Sequence, residues 1–171
     1  MAPRQAIEPT PADRAVAAIE EDIVLGRLAP GQRLTEDELL ERFDLKRHVV
    51  REVLATLERM GLVERRRHIG ALVRRFDPRA VRELYAMRTL LEAEAARRMP
   101  LPPDPGALAR LERIQKDHDR AVARGDLREV FRANVAFHRA LFALTGDDVL
   151  ERAIAEYARQ THAIRFGTLA V

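Results

Sequence analysis

In the stretch LKRHVVREVL, Arg47 and Arg51 stand four residues apart just where an apolar helical pattern begins. Residues at that spacing lie one turn apart on the same helix face. His48 and Glu52 share the outward side, opposite a stripe of Val50, Val53, Leu54, Leu57 and Met60. Two fixed guanidinium groups presented together suit a polyanion, because the planar fork of arginine grips guanine O6 and N7, or a phosphate, with two hydrogen bonds. An ordinary solvated helix face has the same look, so charge distribution matters. Residues 42–75 carry ten Lys/Arg and four Asp/Glu, a net of +6, whereas residues 1–41 carry four and nine, a net of −5. A basic block beside an acidic one points to a polyanion-facing surface, although charge alone leaves a merely polarised surface open.

A second set of chemical side chains lies in the other half of the chain. Leu127, Phe131, Asn134, His138, Leu141 and Thr145 alternate by four and three, placing two polar groups in an apolar helix face. Buried polar groups need partners, so Asn134 and His138 either hydrogen-bond within a polar core pocket or hold a ligand. Arg88 falls on the stripe Val81, Leu84, Tyr85, Leu91 and Ala95, and Glu92 stands four residues on, at ion-pair spacing. His118 and His162 read as boundary histidines. The absence of cysteine excludes disulfides, thiolate metal sites and a Cys nucleophile. No nucleophile and general base come together in the pattern, which disfavours a metal-dependent enzyme built on this half. A protein-interaction module is the third class.

The elements that must position these residues are signalled by caps. Thr10-Pro11 with Asp13 predicts a helix that stops at Gly26. Thr35-Glu36-Asp37-Glu38 is a capping box opening a short helix with Leu39, Leu40 and Phe43 inward. After a tight turn, a helix of roughly 22 Å runs from near Lys46 to Gly61. Leu62–Arg65 and Ala71–Arg74 are β-capable runs around a turn containing Gly70. Two helices, a turn and a basic hairpin make a winged helix-turn-helix. Its recognition helix would bring Arg47, His48 and Arg51 to base edges, and the Thr35 helix N-terminus would take a backbone phosphate through free N–H groups. Arg65, Arg66, Arg67 and His68 form a basic wing tip that Gly70 lets turn.

From Asp77-Pro78 onward the pattern is helical, with breaks at PLPPDPG, Gly125 and Gly146 that divide it into four helices. The expected fold is mainly α. Residues 1–10 read as a disordered leader, 11–76 as the winged helix-turn-helix, and 77–171 as an all-helical bundle. No run of 18 apolar residues suggests a membrane span, and the first fifteen residues lack a secretion signal, as expected of a cytoplasmic protein.

DIVLGRLAPGQRLTEDELLERF followed by VVREVLATLERMGLVERRRHIGALV resembles the N-terminal domain of GntR-type bacterial transcription regulators. The resemblance implies contact with double-stranded operator DNA through Arg47, Arg51 and the wing residues His68 to Gly70. The family usually reads Ser-Arg-Thr-Pro-Val-Arg here, whereas this chain has Lys46 for the Ser cap, His48 for Thr and Val49 for Pro. The missing cap would cost about 1 kcal/mol unless Asp44 substitutes. More loosely, ELYAMRTLLE and NVAFHRALFALTG resemble the FCD-type ligand-binding domain of the FadR-like branch. That likeness implies a homodimer controlled by a small carboxylate metabolite, with Arg88, Asn134 and His138 lining the effector pocket. It also implies a divalent metal, Zn, Ni or Mn, on Asn134 and His138, although the family's aspartate is Asn134 here. The domain would be an incomplete copy of the family's.

Overall fold

The computed structural model describes residues 8–66 and 69–167, with side chains described as far as Ile164. The chain divides into two compact units, one reaching to Arg75 and the other spanning Phe76–Ile164.

In the first unit the caps written into the sequence form as hydrogen bonds. Helix α1 (Pro11–Val24) is capped by Thr10, whose hydroxyl accepts from the Asp13 N–H while Asp13 accepts from the Thr10 N–H. Arg14 also donates to the Pro9 carbonyl at 2.7 Å. Thr10 therefore belongs to the helix, not to an unstructured leader; residues 1–7 of that expected leader lie outside the described residues. Thr35 and Glu38 make the same reciprocal box at the start of α2 (Glu36–Phe43). The turn into α3 (Arg47–Arg59) passes through Asp44, which adopts a left-handed conformation with φ of 49°. Asp44 thus terminates α2 and does not cap α3, whose N-cap Lys46 makes no side-chain capping bond.

The predicted hairpin exists as β2 (Val63–Arg66) and β3 (Gly70–Val73), paired antiparallel from Val63 opposite Val73 to Arg66 opposite Gly70. It is not alone. A two-residue strand, β1 (Arg33–Leu34), pairs with the far side of β3, giving the order β1-β3-β2. Ile19, Val24, Leu34, Val50, Val53, Leu54, Leu57, Leu62, Ala71 and Val73 are all buried, so helices and sheet close on one apolar core. Burying each of the Ile, Leu and Val side chains is worth about 1.5–3 kcal/mol.

The second unit contains α4 (Pro78–Arg98), α5 (Pro105–Ala123), α6 (Leu127–Phe142), a short 3-10 turn (Ala143–Thr145) and α7 (Asp148–Gly167). Asp77, Asp104 and Asp126 each cap the helix that follows through a side-chain oxygen. α5 packs along α6. Ala95, Phe142, Leu150 and Ile154 form a buried cluster that Leu91 and Met99 flank. Two expected inward residues are not inward: Leu127 is 66% exposed and Tyr85 is exposed. Leu127 occupies the first position of α6.

Candidate nucleic-acid interface

The apolar side of α3 fixes where its polar side points. With Val50, Val53, Leu54 and Leu57 buried against α1, α2 and the sheet, Arg47, His48, Arg51 and Glu52 are left exposed. The arginine side chains are 55% and 60% exposed. Both lean toward the first turn of α2. Arg51 donates through Nε to Glu36 Oε1 at 3.0 Å and to Oε2 at 3.3 Å. Arg47 donates through Nη1 to Glu36 Oε2 at 3.1 Å and through Nη2 to Asp37 Oδ1 at 3.0 Å. Two cations thus face two carboxylates, and the outward face of α3 is less positive than its sequence alone suggests. The bond from Arg51, followed by that from Arg47, holds the Glu36 carboxyl below the usual carboxylate range. The bonds to Asp37 and then Glu36 raise the Arg47 guanidinium further above its already high value.

Thr35, expected to lend a helix N-terminus to a phosphate, uses its hydroxyl on the Glu38 N–H. Glu36, Asp37 and Glu38 occupy the first turn, so carboxylates already complement the positive end of the helix. On the wing, Arg66 is exposed and paired with Glu64 at 3.0 Å, and the Ile69 N–H donates to the Arg66 carbonyl, closing the hairpin. Arg67 and His68 lie outside the described residues. Gly70 has φ of 99°, a conformation side chains rarely adopt. A Cβ there would lie in ordinary contact with the Leu34 carbonyl oxygen at 3.7 Å and Arg33 Nε at 3.8 Å, so it is the backbone conformation that favours glycine. Arg33 was not foreseen as part of this surface, since its strand is only two residues long. Glu36 and Asp37 were legible as helix-start residues but not as partners of α3.

The second unit treats its candidate residues differently. Arg88, with a side chain only 14% exposed, donates to Glu92 through Nε and Nη2 at 2.9 and 2.6 Å. Its Nη1 donates to the hydroxyl of Thr161, a fully buried residue, at 2.6 Å. The ion-pair reading of Arg88 is thus realised, and Thr161 is a partner that its spacing in the sequence did not announce. Asn134 and His138 are half-buried on α6. The His138 ring stacks on Phe142 and meets Phe137 edge-on, each at 6.0 Å between centroids, while His162 meets Phe131 edge-on at 5.4 Å. Among the described residues no three His, Cys, Asp or Glu side chains come together as a metal site. A neutral amide and an imidazole set among phenyl rings do not fit the expected divalent metal, which takes several imidazole or carboxylate ligands. A groove of about 380 Å³ runs between α5 and α6, lined by Asp117, Arg120, Arg124 and Glu129 among others; Arg88, Asn134 and His138 do not line it.

Similarities to known proteins agree with this geometry. Residues 11–73 match the gntR family of bacterial regulatory proteins, and residues 83–171 match the FCD domain. An HTH-type transcriptional regulator from an unstable DNA locus of Streptomyces ambofaciens is 35% identical over 123 residues, 70% of this chain and 50% of that protein. The galactonate operon transcriptional repressor of Escherichia coli is 28% identical over 161 residues, 82% of this chain and 69% of that one. The E. coli McbR/YncC structure superposes with a TM-score of 0.80 at 21% identity, over 94% of this chain and 75% of that one, a likeness of fold. The chain spans about half the length of the first of these relatives. With a winged helix-turn-helix match followed by a match covering more than half its length, the chain belongs to the GntR family of bacterial regulators that carry an FCD domain.

Proposed function

We propose that this chain is a sequence-specific DNA-binding transcriptional regulator, reading duplex DNA with α3 and the wing. The observation that carries this reading is the exposure of Arg47 and Arg51 on the first two turns of α3, backed by a buried stripe that fixes their direction. The first turns of a recognition helix are those that reach base edges in the major groove. His48 stands beside the arginines, and Arg33, Arg66 and Gly70 lie on the wing, where a basic strand would follow the phosphate backbone. Arg67 and His68 at the wing tip complete the contact set, and Thr35 enters it as the cap that holds α2, and with it Glu36, against α3. The family consists of regulators, not enzymes.

The finer part of the proposal concerns control. The helical unit dimerises, so that two reading heads meet a pseudo-palindromic operator, and it senses a small carboxylate. Arg88 is the group that would receive such an anion, exchanging Glu92 for it, and Asn134 and His138 of α6 are the further polar groups proposed to line the pocket. Effector binding would then alter operator affinity by linkage.

The test begins with a duplex selected from a random library by the full chain. Its affinity is measured across a range of salt concentrations for wild type and Arg51→Ala. Loss of one good base contact predicts a penalty of about 1–3 kcal/mol. Equal affinity with an unchanged salt slope would remove α3 from the interface.

A further inference from the structure

Glu36 touches both arginines of α3, but it engages them differently. Arg51 gives Glu36 only its Nε, at 3.0 and 3.3 Å. Among the described residues, no hydrogen bond occupies its Nη1 and Nη2 groups, and the side chain is 60% exposed. Its terminal edge therefore remains available, while the carboxylate behind it restricts the rotation of a side chain that would otherwise wander. Arg47 is in the opposite condition. Each of its terminal nitrogens already donates to a carboxylate, Nη1 to Glu36 and Nη2 to Asp37. A base or phosphate approaching the terminal edge of Arg47 therefore competes with two carboxylates already bound there.

From this asymmetry we infer that Glu36 is a positioning residue that holds Arg51 ready to read a base, whereas Asp37 is a restraint that keeps Arg47 from DNA until the two are exchanged. The inference rests on the reading of α3 as the DNA-contacting helix. The chemistry follows from the arginine fork. A guanidinium anchored through Nε presents Nη1 and Nη2 in a fixed plane, the geometry needed for guanine O6 and N7. An arginine bridged to carboxylates through both Nη atoms gives up charge-assisted bonds when its fork turns to DNA, and Asp37, 83% exposed, also stands as a negative charge toward approaching phosphates. Two neighbouring carboxylates on one helical turn thus have opposite consequences, one favouring selectivity and the other limiting affinity. The lowered carboxyl of Glu36 and the raised guanidinium of Arg47 agree with pairs that persist at neutral pH.

The experiment compares wild type, Glu36→Gln, Asp37→Asn and Arg51→Ala as full chains. Each is titrated with the duplex selected by wild type, with single-base-pair variants of it, and with a scrambled duplex, over a range of salt concentrations. Neither substitution disturbs the capping box, which runs between Thr35 and Glu38. Titrations are made well below the melting transition of each variant, so a stability change does not enter. Glu36→Gln is expected to lose roughly tenfold in discrimination between the selected duplex and its variants, because a neutral amide anchors Nε weakly and the fork is free to swing to phosphates. Asp37→Asn is expected to bind every duplex more tightly, with discrimination unchanged and a salt slope steeper by about one as Arg47 gains a phosphate. If Arg51→Ala weakens the selected duplex while Glu36→Gln keeps full discrimination, the positioning role is wrong although the DNA reading stands. If Asp37→Asn binds no more tightly than wild type, the restraint is wrong. If Arg51→Ala itself behaves as wild type, it is the DNA reading that fails.

Discussion

Single residues in this chain are read correctly when their partner lies within four positions. Thr10 with Asp13, Thr35 with Glu38 and Arg88 with Glu92 are all spaced so that a helix alone brings them together. Arg51 and Glu36 are fifteen positions apart, and only the turn at Asp44 makes them neighbours, so the pairing was invisible beforehand. The same applies to Arg88 and Thr161, seventy-three positions apart. Lys46 offers a clean test at this scale. It holds the N-cap position of α3 with extended backbone but no oxygen to accept an N–H. Lys46→Ser should therefore stabilise the first unit by about 1 kcal/mol, seen as a higher melting temperature by circular dichroism. A lower melting temperature would mean that the lysine contributes something beyond its place at the cap.

Helices were legible because their ends are chemically marked and their faces follow a 3.6-residue period. β1 was not, because two residues carry no period, and a strand so short exists only because β3 supplies its hydrogen bonds. A second element-level feature went unread. Asp22, near the end of α1, is 4% exposed and binds Arg27 and Arg42, while its backbone carbonyl accepts the N–H groups of Arg27 and Leu28. A carboxylate in a helical stripe looks like solvent-facing polarity until the element that covers it is known; here Arg42 of α2 does so. The side chain ties α1 to α2 and to the turn that leads into β1. Asp22→Asn should lower the unfolding free energy by about 1–3 kcal/mol, since charge-assisted bonds become neutral ones. Urea unfolding followed by helical signal would register the change; an unaltered midpoint would show the bridge to be dispensable.

Across the whole molecule the two compact units divide between Arg75 and Phe76, and the two family matches, residues 11–73 and 83–171, fall on either side. Molecule-wide acid sensitivity also follows from local geometry. Asp13, Glu38 and Asp147 are lowered chiefly by capping bonds to side-chain or backbone donors, and Glu36 and Glu94 by bonds from arginines. Each carboxyl binds a proton less readily folded than unfolded. The stability they contribute is present above the ordinary carboxylate value of about 4.3 and is lost as pH falls through the lower folded-state values. Melting temperature should stay nearly level from pH 7 to 5 and then drop below about 4. A rise on acidification would contradict these assignments.

The pairing of β1 with β3 has a mechanical consequence. The Gly31 N–H donates to the Val73 carbonyl, and the Val73 N–H to the Gln32 carbonyl, both at 2.8 Å. The chain thus enters and leaves the segment containing α2, α3 and β2 at one clasp. Tension drawn along the backbone through Arg75 meets those bonds first and passes into the turn after α1, bypassing the helix that carries Arg47 and Arg51. Being antiparallel and loaded from the same end, β1 and β3 would open one bond at a time. The reading helix lies inside a loop that carries no load while the clasp holds.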